Sequence, residues 1–217
     1  VKAETKALEQ PVKTIKKRAS TRRLKGSPLN EQDWVSAAIE ILVNENVRGI
    51  RIDVLCAKLG VTKGSFYWHF ATRNDLLVAL LSTWRRKTTM NVIKSISASS
   101  GTARDRLRRL LWLPRGPKSP ASAQVEQSVR DWARRVEMPK SAVAEVDQIR
   151  MDYFTQLVKD AGHDGDEARV RAYIMYCLMM GDSILHQSLS DVPHDTFLDT
   201  VMELVIDKDR TPDSETS

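Results

Sequence analysis

Two cysteines in 217 residues are too few to staple a small secreted fold, and Cys56 and Cys177 lie in apolar surroundings without ligand-like spacing. Both are expected to be buried, reduced thiols. No apolar run is long enough to span a bilayer and the charged amino terminus has no secretory character, so a cytoplasmic protein without membrane contact is expected. The alternation that marks half-buried strands is missing. So are the nucleophile elbow, the phosphate-binding loop and the glycine-rich dinucleotide fingerprint. His163, His186 and His194 stand near Asp164, Asp182 and Asp195, but their spacing does not put ligands on one helix face. No metal, cofactor or catalytic residue is assigned, and an enzyme with a catalytic carboxyl-terminal helical domain is the alternative from another class.

What remains is helical pattern and an uneven charge. With 41% hydrophobic residues the chain can bury a proper core. Residues 1–73 hold 14 Lys/Arg against 7 Asp/Glu, a surplus of +7, whereas the whole chain carries +6. The positive field is thus confined to the amino-terminal third, as phosphate binding requires. Within it, residues 1–28 have few large apolar side chains and two basic clusters, Lys16-Lys17-Arg18 and Arg22-Arg23-x-Lys25. They read as a basic flexible arm that could follow phosphates or enter a minor groove.

From Asn30 a first helix is signalled by Asn30-x-x-Asp33 and by the stripe Trp34, Ala37, Ala38, Ile41, Leu42. Ile52, Leu55, Cys56 and Leu59 then give one apolar face to a short helix that stops at Gly60. Gly60 suits a positive φ, Val61 a buried turn position, and Thr62 the cap of a second helix that starts at Lys63. In that helix Lys63-Gly64-Ser65 offers a long cation, close approach and a small hydroxyl, and Tyr67-Trp68-His69 a phenol, an indole and an imidazole. Phe66 and Phe70 lie on the opposite face, where they can anchor it. Apolar residues that fix an angle and polar residues that face a groove are helix-turn-helix logic.

The run Leu55-Cys56-x-x-Leu59-Gly60-Val61-Thr62-Lys63-Gly64-Ser65-Phe66-Tyr67-Trp68-His69-Phe70-x-Thr72-Arg73-x-Asp75-Leu76-Leu77 resembles the amino-terminal domain of the TetR family of bacterial transcriptional regulators, over about residues 29–84. Cys56 stands where that family usually has alanine, and Arg51 where a Ser or Thr cap is common. The resemblance implies an all-α protein with a three-helix DNA-binding domain over 29–74 and a helical effector-binding and dimerisation domain over 75–217. Carried over residue by residue, it implies phosphate-side roles for Thr62, Tyr67, His69 and Arg73 and base-edge roles for Lys63 and Ser65, with Gly64 letting the backbone come close. Trp68 could pack on a sugar or thymine methyl or support its neighbour, and His69 could cap a carbonyl instead.

Thr72-x-x-Asp75 opens a fourth helix carrying Leu76, Leu77, Leu80, Leu81 and Trp84, which continues to about residue 96 before a Ser-rich break. Further helices are expected over 102–113, 121–136, 141–161, 167–189 and 195–205, with Gly162-His163-Asp164 as a stop and restart. The segment from Ala172 to Met180 is apolar around its circumference and must be covered on more than one side. A second copy of the chain is the expected cover, and the family resemblance likewise implies a homodimer on palindromic operator DNA. It implies too a small-molecule effector, for which Trp84, Trp112, Trp132, Met151, Tyr153, Phe154, Met175 and Met179 are the candidate lining. The expected function is a DNA-binding transcriptional regulator, most simply a repressor released by its effector. A nucleoid-organising or division-site protein that uses the same domain without an effector is the competing reading.

Overall fold

The reason the amino-terminal helices start and stop where they do is local. In the computed structural model, which describes residues 29–116 and 119–207, α1 (Glu31–Glu45) opens on a reciprocal capping box between Asn30 and Asp33. The basic arm over 1–28 lies outside the described residues. Next, α2 (Ile52–Leu59) has no side-chain cap at Arg51, which pairs with Asp53 instead. It ends at Gly60 with φ 69°, where the bonds Gly60 N–H to Ala57 O and Val61 N–H to Cys56 O close a Schellman cap. The short helix α3 (Lys63–Tyr67) follows after a tight turn, and α4 (Arg73–Arg85) opens on a second capping box, Thr72 with Asp75.

Past Arg85 the helix does not stop. A π-helical turn, Arg86–Met90, carries it into α5 (Asn91–Ser97), so the expected run to about residue 96 is present but with one widened turn. Beyond the break come α6 (Ala103–Trp112), α7 (Ser119–Ala133), α8 (Glu137–Asp160), α9 (Gly165–Leu185) and α10 (His194–Met202). Pro139 falls in the first turn of α8, where a missing N–H leaves no bond unmade. Gly162, at φ 108°, turns the chain between α8 and α9. No strand occurs among the described residues.

Two hydrophobic clusters organise these helices. The first joins Trp34, Ile41, Leu42, Leu55, Phe66, Phe70, Leu80 and Trp84, with the Trp34 and Phe66 rings edge to face at 5.3 Å. It does not end with the helix-turn-helix: Val129, Trp132 and Val146 from α7 and α8 belong to it. The second joins Leu107, Leu111, Phe154, Leu157, Ala172, Met175, Tyr176 and Met202 from α6, α8, α9 and α10. On α9 the apolar run is divided. Ala172, Met175 and Tyr176 are buried in the second cluster, whereas Val170, Tyr173, Ile174, Ile184 and Leu185 remain exposed. Cys177 lies among the exposed set, which corrects the expectation of a buried thiol there; Cys56 is buried, and burial pushes its thiol pKa up.

Candidate nucleic-acid interface and effector cavity

Because Phe66 and Phe70 are buried, α3 is fixed with its other side outward. Thr62, Lys63, Gly64, Tyr67 and Trp68 are exposed, Trp68 to 89%, and Ser65 and His69 are half-buried. Thr62, Gly64, Ser65, Trp68 and His69 border one shallow concavity together with Leu29 and Val61. The expected Thr62 cap is not formed: the helix begins without a side-chain hydrogen bond from Thr62, so its hydroxyl is left for an outside partner. Gly64 has no internal reason to be glycine. A Cβ there would meet only Thr62 Oγ1 at 3.7 Å, an ordinary contact, and its φ is not positive. His69 stands beside the Trp34 ring, centroids 6.3 Å apart.

Arg73 behaves differently from its neighbours in the motif. Its Nη2 donates to Val47 O at 2.6 Å and its Nε to Ile50 O, so the guanidinium ties α4 to the loop before α2. That role was not foreseen in a residue read as a phosphate contact. Two further cations are spoken for: Lys58 pairs with Glu40 at 2.7 Å and Arg51 with Asp53. Lys63 has no ion pair among the described residues.

In the carboxyl-terminal half, a cavity of about 410 Å³ opens between the π-helical turn, α5, α6, α7, α8 and α9. Of the eight residues expected to line it, Trp112, Tyr153, Phe154 and Met179 do. Trp84 and Trp132 are packed into the first cluster, Met175 is fully buried in the second, and Met151 packs against the second without reaching the cavity. An apolar side chain announces burial; it does not announce whether the space beside it is filled.

Sequence reading missed the polar side of the cavity. Glu126 is buried in its wall and accepts from Trp84 Nε1 at 3.1 Å, from Arg130 Nε at 2.8 Å and from Arg150 Nη1 and Nη2 at 3.1 and 3.2 Å. Arg150 also donates from Nε to Thr89 Oγ1 at 3.0 Å. Tyr176 O–H donates to Asp147 Oδ1 at 2.6 Å, and Arg130 Nη1 reaches Asp147 Oδ2 at 3.0 Å. Burial pushes the Asp147 carboxyl up, but the Arg130 fork and the Tyr176 hydroxyl outweigh it and hold it below the usual range. Burial and the Asp147 acceptor push the Tyr176 phenol up to about 12. A signal for this network was present: Arg150 falls between Val146 and Phe154 on the buried stripe of α8, where a charge needs partners.

The described residues hold no group of three or more His, Cys, Asp or Glu placed to share an ion. His163 Nε2 lies 2.8 Å from Ile206 O, and the His194 ring is packed beside Phe197 and Trp112. No described helix is long and apolar enough to cross a membrane.

The family profile described as bacterial regulatory proteins of the tetR family matches residues 35–80, the segment that holds most of α1, then α2, the turn, α3 and the first half of α4. Over that segment the chain is similar to the TetR family. A curated relative, the HTH-type transcriptional regulator SrpR of Pseudomonas putida, is 37% identical over 52 residues, 24% of this chain and 24% of that protein. The match thus spans about a quarter of the relative's length. Over the whole fold the chain is similar to a transcriptional regulator from Rhodococcus sp. Rha1, with 16% identity, TM-score 0.67, and 85% of this chain and 100% of the other covered. It is also similar to the transcriptional regulator FadR from Bacillus subtilis in complex with stearoyl-CoA, with 14% identity, TM-score 0.59, and 82% and 98% covered. At that identity the fold carries over, an amino-terminal helix-turn-helix with a helical domain behind it, and the ligand does not.

Proposed function

We propose that this protein is a sequence-specific, DNA-binding transcriptional regulator, a homodimeric repressor that leaves a palindromic operator when a small molecule fills the cavity. The observation that carries this reading is the outward face of α3, where exposed Lys63, Tyr67 and Trp68 flank a glycine that the fold itself does not need. Glycine near a helix start gives up helix propensity and admits close approach of another surface. In this reading Thr62, Tyr67 and His69 take phosphates, Lys63 and Ser65 take base edges, Trp68 packs on sugar or a thymine methyl, and residues 1–28 form the arm. The exposed stripe on α9 from Val170 to Leu185 is the surface on which a second copy pairs, setting two α3 helices about 34 to 36 Å apart.

Release follows from linkage. The effector must prefer the state that cannot hold DNA, since equal affinity for both states shifts nothing. A physical route is available, because Glu126 in the cavity wall accepts from the indole of Trp84, which sits on α4 in the cluster shared with the helix-turn-helix. Selection of bound duplexes from a random pool tests the reading. Two inverted half-sites about one helical turn apart are expected, with Lys63→Ala costing on the order of 1 to 3 kcal/mol and relaxing preference at one base pair per half-site. Equal retention of every duplex would favour the nucleoid-organising alternative, and sedimentation of a monomer at micromolar concentration would remove the dimer.

A further inference from the structure

We infer that the compound the cavity takes is an anion with an apolar body, seated with its charge at Lys87 and its body among Val92, Leu110, Phe154 and Met179. This rests on the reading of the cavity as the effector site. Three charged residues line the space: Lys87, Glu126 and Arg150. The two inner ones are matched. Glu126 receives Trp84, Arg130 and Arg150, and Arg150 spends its donors on Glu126, Thr89 and Thr88. An ammonium pushed inside would find no acid to spare, and a carboxylate there no spare guanidinium. Either would be desolvated without a partner.

Lys87 is the exception. It sits at the mouth, exposed, on the π-helical turn, and has no ion pair among the described residues. A charged head placed beside it keeps part of its hydration while the apolar body displaces water from the inner wall. A cationic head at the same place is repelled. The volume suits a drug-sized molecule, the usual occupant of pockets of about 300 to 1,000 Å³.

Two fluorescent probes with one ring system separate the contributions: anionic 8-anilinonaphthalene-1-sulfonate and neutral N-phenyl-1-naphthylamine, titrated against the full chain at low salt. The anion is expected to bind about three- to tenfold more tightly, the scale of one partly exposed charge-assisted contact. Lys87→Met should bring the anion down to the neutral probe and leave the neutral probe unchanged. Ala123→Phe on α7, or Ser183→Phe on α9 should the first not fold, fills the space and should abolish binding of both. An anion preference that survives Lys87→Met, with both probes lost in the filled variant, would overturn the charge assignment and leave the cavity reading standing. Probes that bind equally well to the filled variants would instead remove the cavity as a ligand site.

Discussion

The two clusters of this molecule solve burial in opposite ways. Around Trp34, Phe66 and Phe70 the amino-terminal cluster is apolar and closed, and the side chains it leaves outside are those of α3. Behind it, α8 carries a buried arginine, α7 a buried glutamate, and a cavity of about 410 Å³ lies beside them. A closed aromatic core holds a surface still, whereas an open cavity over a matched ion pair leaves a region able to change when something enters. Rigidity and receptivity are thus written into separate chemistries, and Trp84 belongs to both.

Each half can be damaged by its own means. Phe66→Ala should cost about 3 to 5 kcal/mol through the cavity it creates. Glu126→Ala should cost a similar amount, about 3 to 5 kcal/mol, because it strands Arg150 without a counter-charge. Denaturant melts measure both. The two differ in rescue: adding Arg150→Met to Glu126→Ala should recover part of the loss, since the stranded charge is then gone while the Trp84 indole N–H still lacks its acceptor. If Glu126→Ala proved nearly neutral by itself, the idea of a load-sharing ion pair in the cavity wall would fail.

Arg73 tests where the closed unit ends. Losing two charge-assisted bonds to Val47 and Ile50 carbonyls should destabilise Arg73→Met by about 1.5 to 3 kcal/mol. The salt dependence of DNA binding by the folded variant tells the rest. An unchanged slope makes Arg73 a clamp alone, and a slope smaller by roughly one makes it a phosphate contact too.

Gly64→Ala sharpens the contrast between fold and surface. The fold has room for the methyl, so the free protein should gain roughly 0.5 to 1 kcal/mol in thermal or chemical melts. Operator affinity should fall at the same time. A variant both more stable and equally tight on DNA would show that the glycine serves no approach.

The smallest effect is expected from pH. Asp147 has a lowered folded pKa, so its contribution is complete above the unfolded value of about 3.9 and is lost as pH falls through the lower folded one. Partial exposure screens it, so the slope is modest. Comparing wild type with Asp147→Asn in melts between pH 2 and 6 isolates it; parallel curves would mean that the carboxylate is not held by Arg130 and Tyr176.

What could be read in the chain beforehand was whatever depends on near neighbours. The capping boxes at Asn30 and Thr72, the Gly60 stop and the α3 start involve contacts a few residues apart, and spacing alone announces them. The Thr62 cap failed because a hydroxyl able to cap need not do so. The clamp made by Arg73 was not legible because its acceptors lie 23 and 26 residues away, and proximity of that kind is a property of the fold. In the carboxyl-terminal helices, residue type did not separate filled space from empty space. Trp84, Trp132 and Met175 therefore fell on the wrong side of a wall that Trp112 and Tyr153 do line. The α9 stripe was legible as excess apolar surface, and its division between cluster and solvent was not.

The π-helical turn at Arg86–Met90 has a consequence of phase. A π turn spends one residue more than an α turn, and each residue of an α-helix advances the side chains by about 100°. That additional residue lets Trp84 face α7 upstream while Ile96 faces the second cluster downstream, on what is otherwise one rod. Deleting a single residue from the turn should restore regular α geometry. It would also rotate all that follows by more than a quarter of a revolution, swinging Ile96 out of its cluster. The widened turn works as a clutch between two gears cut on the same shaft.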